Sequence, residues 1–265
     1  MTRPTVLRYP AAALLIILIA LVDLLAEAKG NVPDSTGTSV LVELFTSEGC
    51  SDCPPADALL ERLDTSQPVA GARLIVLSEH VDYWNHIGWK DPYSSHAYSE
   101  RQSAYAARFG LGSVYTPQMV VDGRFEFVGS DERRAIAAAE TAARAQKVSI
   151  SLSGAHMESD GLLAVHLDAG RLPSTVAGPT NVLLAVADEK DESHVTGGEN
   201  GGRTLRHIAV VRSLKYVGSL DQSKGLSQDI EITVPRRNGT MRLIAFAQDG
   251  NAGTIRGVAS TSFSK

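Results

Sequence analysis

Apolar and polar positions divide the chain into two stretches of different period. Val40-Leu41-Val42-Glu43-Leu44-Phe45 is a short, nearly continuous apolar run that predicts a buried strand. Ala56, Leu59, Leu60 and Leu63 then fall at i, i+3, i+4 and i+7, one apolar face of a helix. Pro54 and Pro55 suit its first turn, where backbone N–H groups have no intrahelical partner. Arg73–Ser78 predicts a second buried strand. Residues 80–112 form a long excursion rich in His, Trp and Tyr, whose second half reads as a helix from a cap at Ser94 or Ser95 to a stop at Gly110. Gln118–Val121 predicts a strand ending at the hairpin signal Asp122-Gly123, with Phe125–Val128 pairing back. Ser130 is the expected cap of a last helix, Asp131–Gln146.

After Lys147 the period becomes two. Val148, Ile150 and Leu152 alternate with serines, and the same alternation recurs at Leu163–Leu167 and Ile230–Val234. Further strand-like runs are Asn181–Asp188, His207–Val217, Met241–Gln248 and Ile255–Phe263. Seven strands with Gly, Asn and Asp turns suggest a β-sandwich. A domain boundary is therefore expected near residue 147, and no internal repeat is visible.

The N-terminus reads as a targeting segment. Arg3 and Arg8 precede a continuous apolar run, Ala11–Val22, and Ala26-Glu27-Ala28 has the form of a signal-peptidase site, with cleavage after Ala28. The run is shorter than the roughly 20 residues that span a bilayer, so a cleaved signal peptide is the leading reading and an uncleaved anchor the alternative. No stable membrane span is expected after cleavage, and the mature protein is expected to be periplasmic or secreted. The expected organisation is 1–28 signal peptide, 29–38 flexible leader, 39–147 first domain and 148–265 second domain. Residues 1–28 carry two basic and two acidic groups, so the net charge of -5 is unchanged by the cut. A mildly acidic chain without a basic run gives no reason to expect nucleic acid as a partner.

The only two cysteines are Cys50 and Cys53, in Cys50-Ser51-Asp52-Cys53 between the first strand and the first helix. A helix N-terminus offers unpaired N–H groups and partial positive charge, both of which stabilise a thiolate. Three readings stand: a redox-active pair, a metal site using both cysteines, and a structural staple. The staple closes a very short loop and contributes roughly 2 kcal/mol in the chain-entropy model. A chain this long can build a core without it. The metal reading lacks a second CxxC or a close His-x-His pair to complete a ligand set.

Strand, CxxC, helix, strand, helical excursion and a Thr116-Pro117 entering a later strand, in that order, resemble the thioredoxin superfamily over about residues 39–147. More closely, Glu43–Cys50, His80-Val81-Asp82-Tyr83-Trp84, Tyr115–Gly123 and Gly198–Leu205 look like a family of secreted proteins catalogued as domain-of-unknown-function family 1223. The resemblance implies an α/β thioredoxin-like N-terminal domain followed by an all-β, sandwich-like domain. It also implies a cis-proline at Pro117 lying against a Cys50–Cys53 disulfide, with Thr116 and Tyr115 receiving substrate.

By position, Cys50 is the expected exposed nucleophile and Cys53 the buried resolving thiol. Glu43, Asp52, His80 and Asp82 are candidates for a supporting shell: Glu43 for proton transfer, Asp52 for raising the thiol pKa, and Asp82 as the group that orients His80. Trp84 and Trp89 are expected to anchor the excursion. The expected function is an exported thiol–disulfide oxidoreductase or redox-linked protein acting on a protein or small-molecule thiol or disulfide, with an unidentified redox partner and neither cofactor nor metal. A metal-binding or metallochaperone protein and a non-catalytic scaffold with a structural disulfide are the alternatives.

Overall fold

The computed structural model describes residues 37–158, 162–234 and 239–264. The expected signal peptide, its cleavage site and nearly all of the leader lie outside them. The first strand, β1, spans Thr38–Thr46, and the first helix, α1, spans Pro54–Ser66. They are followed by β2 (Ala72–His80), α2 (His96–Phe109), β3 (Gln118–Val121), β4 (Phe125–Val128) and α3 (Glu132–Ala143). Seven strands complete the chain: β5 (Ile150–Met157), β6 (Leu162–Ala169), β7 (Thr180–His194), β8 (Thr204–Leu220), β9 (Leu226–Thr233), β10 (Thr240–Asp249) and β11 (Ile255–Ser264).

Local signals act much as the pattern predicts. Ser95 caps α2 by accepting from Ala97 N–H, and Gly110 ends it at φ 69°. Asp122 and Gly123, both at positive φ, make the β3–β4 turn. The last helix is the exception. Asp131, not Ser130, caps it by accepting from Arg134 N–H, and it ends at Ala143.

The tertiary arrangement corrects the expected fold class. The chain is mostly β, and strands from both stretches share one mixed eight-stranded sheet in the order β11-β10-β7-β8-β2-β1-β3-β4. This does not fit an α/β thioredoxin-like N-terminal domain followed by a separate all-β sandwich. The seven late strands form where the alternation places them, but β7, β8, β10 and β11 join the large sheet while β5, β6 and β9 make a second sheet of three. The physical reason is an open edge. The parallel pair β1–β2 leaves the far edge of β2 unpaired, and β8 fills it in parallel at Ser78↔Val210. Alternation fixes which face a side chain takes but not which strand lies beside which. Thr36–Lys265 consequently forms one compact unit.

One face of the large sheet carries a core shared by both stretches: Leu41, Ile75, Leu77 and Tyr98 pack with Ala185, Ile244, Phe246 and Ile255. On the opposite face, α1 and α3 cover Val40, Val42 and Leu44, while the three-stranded sheet covers Val182, Leu184, Leu243 and Ala245. The sheet curls until β11 meets the β3–β4 hairpin, where Ile255 N–H donates to Asp122 O and Lys147 ion-pairs with Asp122. Gly123 is required there, because a Cβ would lie 2.1 Å from Gly253 O. Among the described residues no helix is long and apolar enough to cross a membrane.

The shared core makes a specific demand. Phe246, fully buried on β10, is expected to cost about 3–5 kcal/mol when replaced by alanine. The loss should spread to hydrogen exchange of β1 and β2 amides as well as to β7 and β10. Protection of β1 and β2 unchanged in F246A, with β7 and β10 opened, would show two independently stable parts.

Candidate functional site

The site is built where β1 meets α1. After Thr46 the chain turns through Ser47-Glu48-Gly49. Cys50 N–H donates to Ser47 O, Cys53 N–H to Cys50 O, and Cys53 is the N-cap residue of α1 with Pro54 and Pro55 behind it. Cys50 and Cys53 are joined in a disulfide, with Cα atoms 5.4 Å apart. Their exposure departs from expectation: Cys50 is 1% and Cys53 0% exposed, while Ser51 and Asp52 between them face solvent. Cys50 is thus not an exposed nucleophile in this state.

Two segments close on the turn. The excursion contributes Trp84, whose Cβ is so close to Gly49 that a methyl there would sit at 3.0 Å. Trp84 Nε1 donates to Thr116 Oγ1 at 2.8 Å, and Trp89 Nε1 donates to Glu48 Oε2 at 2.7 Å. The two tryptophans therefore pin the excursion to the loop before Pro117 and to the CxxC turn. The second segment is the tip of the β7–β8 hairpin, residues 195–203. Asn200, fully buried, donates its side-chain amide to Glu48 O and Cys50 O, each at 2.9 Å. Its own Oδ1 accepts from Arg203 Nη1, and the Glu199 carboxylate accepts from Ser51 N–H at 3.0 Å. The tip and the excursion meet at glycines, since a Cβ on Gly197 would lie 2.3 Å from Gly88 O.

Behind the turn lies a buried ionisable cluster. His207, on β8, places Nε2 3.3 Å from Glu48 Oε1 and Nδ1 3.8 Å from Asp57 Oδ2 on α1. Burial alone opposes the imidazolium, but the Asp57 and Glu48 carboxylates on either side of the ring outweigh it and raise the His207 pKa to about 10. The His207 ring meets His80 edge-on at 4.7 Å and Tyr93 at 5.7 Å. His80 Nδ1 pairs with Asp91 Oδ2 at 2.7 Å, and the same carboxylate accepts from Glu48 and Tyr93 N–H. Burial would raise Asp91, yet the His80 charge and these hydrogen bonds hold it below the usual carboxylate range.

The remaining candidates are spread out. Asp82 accepts from Ser99 Oγ and pairs with His96 at 3.2 Å, so Asp91 and not Asp82 orients His80. Glu43 turns to the opposite face of the sheet from α1, where it binds Arg101 Nε at 2.8 Å and Tyr105 OH at 2.6 Å. Beside it, burial raises Glu79 well above the usual carboxylate range against the pull of Arg101, with Glu43 adding to the rise. Asp52 is exposed on the turn. The Thr116–Pro117 bond is cis and Pro117 is buried. A methyl on Gly129 would lie 3.0 Å from Pro117 Cβ and 3.1 Å from Ala56 Cβ, which sets the proline beside the first turn of α1. Among the described residues the Thr116 backbone takes no hydrogen-bond partner, while Tyr115 OH donates to Glu126 and its carbonyl accepts from Gln102.

Sequence reasoning missed His207, Asp91, Asp57 and Arg101. His207 carried a signal: it falls between Leu205 and Ala209 in the inward register of β8, where all three are buried. Among the described residues no group of three or more His, Cys, Asp or Glu side chains is arranged to hold a metal ion.

The fold and turn define a mixed-sheet protein with a CxxC disulfide at a helix N-terminus. The chain belongs to the family described as protein of unknown function (DUF1223), whose profile matches residues 41–248. No curated protein matches it. Among solved structures it is similar to protein AGR_C_4864 from Agrobacterium tumefaciens, with 25% identity and a TM-score of 0.62 over 84% of this chain and 94% of that one. It is also similar in fold to HBP35 of Porphyromonas gingivalis, with 15% identity and a TM-score of 0.55 over 86% of this chain and 76% of that one.

His207 gives the site a pH signature. A histidine titrates near 6.5 when unfolded and near 10 here, so the native state holds the extra proton between those values. Its contribution to stability is complete below about 6.5 and is lost as pH rises through about 10. H207Q should cost about 3–5 kcal/mol at neutral pH, because it strands two buried acids. It should also flatten the decline in denaturation midpoint between about pH 6.5 and 10. A variant whose midpoints run parallel to wild type over that range would remove His207 from the cluster's charge balance.

Proposed function

We propose that this chain is an exported thiol–disulfide exchange protein whose working group is the Cys50–Cys53 pair. The observation that carries the reading is the disulfide itself, formed between the two ends of a CxxC turn at the N-terminus of α1. A helix N-terminus stabilises the thiolate that leaves when the bond opens. The vacant Thr116 backbone, at the loop that enters β3 beside α1, offers pairing to an extended substrate. The N-terminal basic and apolar pattern supports export to an oxidising compartment, where such a bond persists.

The exchange balances as two displacements. A substrate thiolate attacks Cys50 Sγ, the Cys50–Cys53 bond breaks, and Cys53 leaves as a thiolate that takes up a proton. A second substrate thiolate attacks the mixed disulfide and releases Cys50, so the substrate loses two electrons and the cysteine pair gains them. The reverse sequence, with Cys50 attacking a substrate disulfide and Cys53 resolving it, runs when the partner has the higher potential.

Burial of both cysteines favours a second reading, a scaffold with a structural bridge. One set of assays separates the two. Wild-type protein should accelerate insulin reduction by dithiothreitol, or oxidative refolding of a reduced protein, and C50S should not. C53S should accumulate a mixed disulfide through Cys50. A reduction potential below about -300 mV, with insulin and refolding rates equal to buffer alone, would leave only the scaffold.

A further inference from the structure

We propose that Glu199 and Asn200 are specificity-determining residues of the exchange centre: they latch the β7–β8 hairpin tip over Cys50 and restrict it to partners able to displace that tip. The inference rests on the exchange reading for its biological meaning, but its physical content is access to a disulfide and can be measured separately.

Three observations carry it. The tip is bound to the CxxC turn through backbone groups of that turn: Asn200 holds Glu48 O and Cys50 O, and Glu199 holds Ser51 N–H. These hydrogen bonds flank and include Cys50, which is 1% exposed although Ser51, the next residue, is exposed. The tip is also a self-contained turn, in which Gly202 N–H donates to Val195 O and Arg203 N–H to Asn200 O. Gly197 and Gly198 precede the two latch residues and Gly201 and Gly202 follow them, with Gly198 and Gly202 at φ 66° and 84°. The tip contributes little apolar packing of its own to the turn. Of residues 195–203 only Val195 at the base and Asn200 are buried, and Asn200 meets the turn through hydrogen bonds. Such a contact separates more readily than a packed core, since each neutral hydrogen bond contributes about 0.5–1.5 kcal/mol net.

The chemistry of the latch is matched to what it covers. A carboxylate over the Ser51 N–H and an amide over two carbonyls satisfy the polar groups that the turn would otherwise present to a polypeptide. A partner that takes over these contacts with its own backbone can lift the tip, whereas a small thiol has nothing to replace them with.

The test uses the full mature chain and dithiothreitol as the probe. One dithiothreitol thiolate attacks Cys50 Sγ and frees Cys53. Its second thiolate closes the ring and frees Cys50, leaving oxidised dithiothreitol and the protein dithiol. In N200A the rates of reduction by dithiothreitol and of reoxidation by its oxidised form should both rise at least about tenfold, with their ratio changed less than about twofold, on the scale of one to two hydrogen bonds lost. E199Q should raise both about threefold. Glu199 is exposed and its loss leaves the core intact, so this variant decides the matter if N200A does not fold. Unchanged rates in both folded variants would overturn the latch, as would a shift in the ratio without a rise in both rates, which would make the tip a tuner of the potential. A wild-type chain that shows the latch kinetics but no exchange with insulin would keep the inference and remove the exchange reading.

Discussion

The open edge of β2 is the constraint on which the rest of this molecule depends. A parallel strand pair has no tight turn to close it, and an unpaired buried edge leaves a row of backbone groups without partners. β8 meets that need at Ser78↔Val210 and extends along β7 for most of its length. Its placement carries everything attached to it. Just above the junction, His207 enters between Glu48 and Asp57. One turn earlier in the chain, the hairpin tip lands on the CxxC motif. The site is therefore assembled from both stretches of the sequence, and neither could build it alone.

The interior next to the motif is unusually polar, and each ionisable group has been given a counterpart. Asp91 answers His80, Glu48 and Asp57 answer His207, and Arg101 answers Glu43 on the other face. Buried pairs of this kind add little over apolar packing, yet losing one member is costly because the other is left charged and dry. They act as registration points: α1, β8 and the excursion each supply one partner, so the three can close on the turn in only one arrangement. Asp91 illustrates the economy, binding the His80 ring and two backbone N–H groups with one carboxylate.

Much of this was legible locally and little of it globally. Helix faces at Ala56–Leu63, the Ser95 and Gly110 boundaries, the Asp122-Gly123 turn and the seven late strands follow from periodicity and turn chemistry, which act over a few residues. The common sheet was not legible, because pairing β2 with β8 joins positions more than a hundred residues apart and alternation is silent about neighbours. The site suffered the same way. Cys50, Cys53 and Pro117 stand out by residue type, but Asn200 and Glu199, which bind the backbone of Cys50 and Ser51, lie in a Gly-rich stretch whose pattern gives no pairing with that turn. Glu43, a candidate for proton transfer, lies on the other face from the turn's helix: even positions of β1 face α1, and it is odd.

Trp84 and Trp89, the only tryptophans in the chain, each donate their indole N–H to groups bordering the disulfide turn. Indole emission responds strongly to nearby sulfur and to hydrogen bonding. The molecule thus carries a built-in optical probe, free of background from other indoles, through which opening, closing and reduction of this one corner can be followed without any added dye.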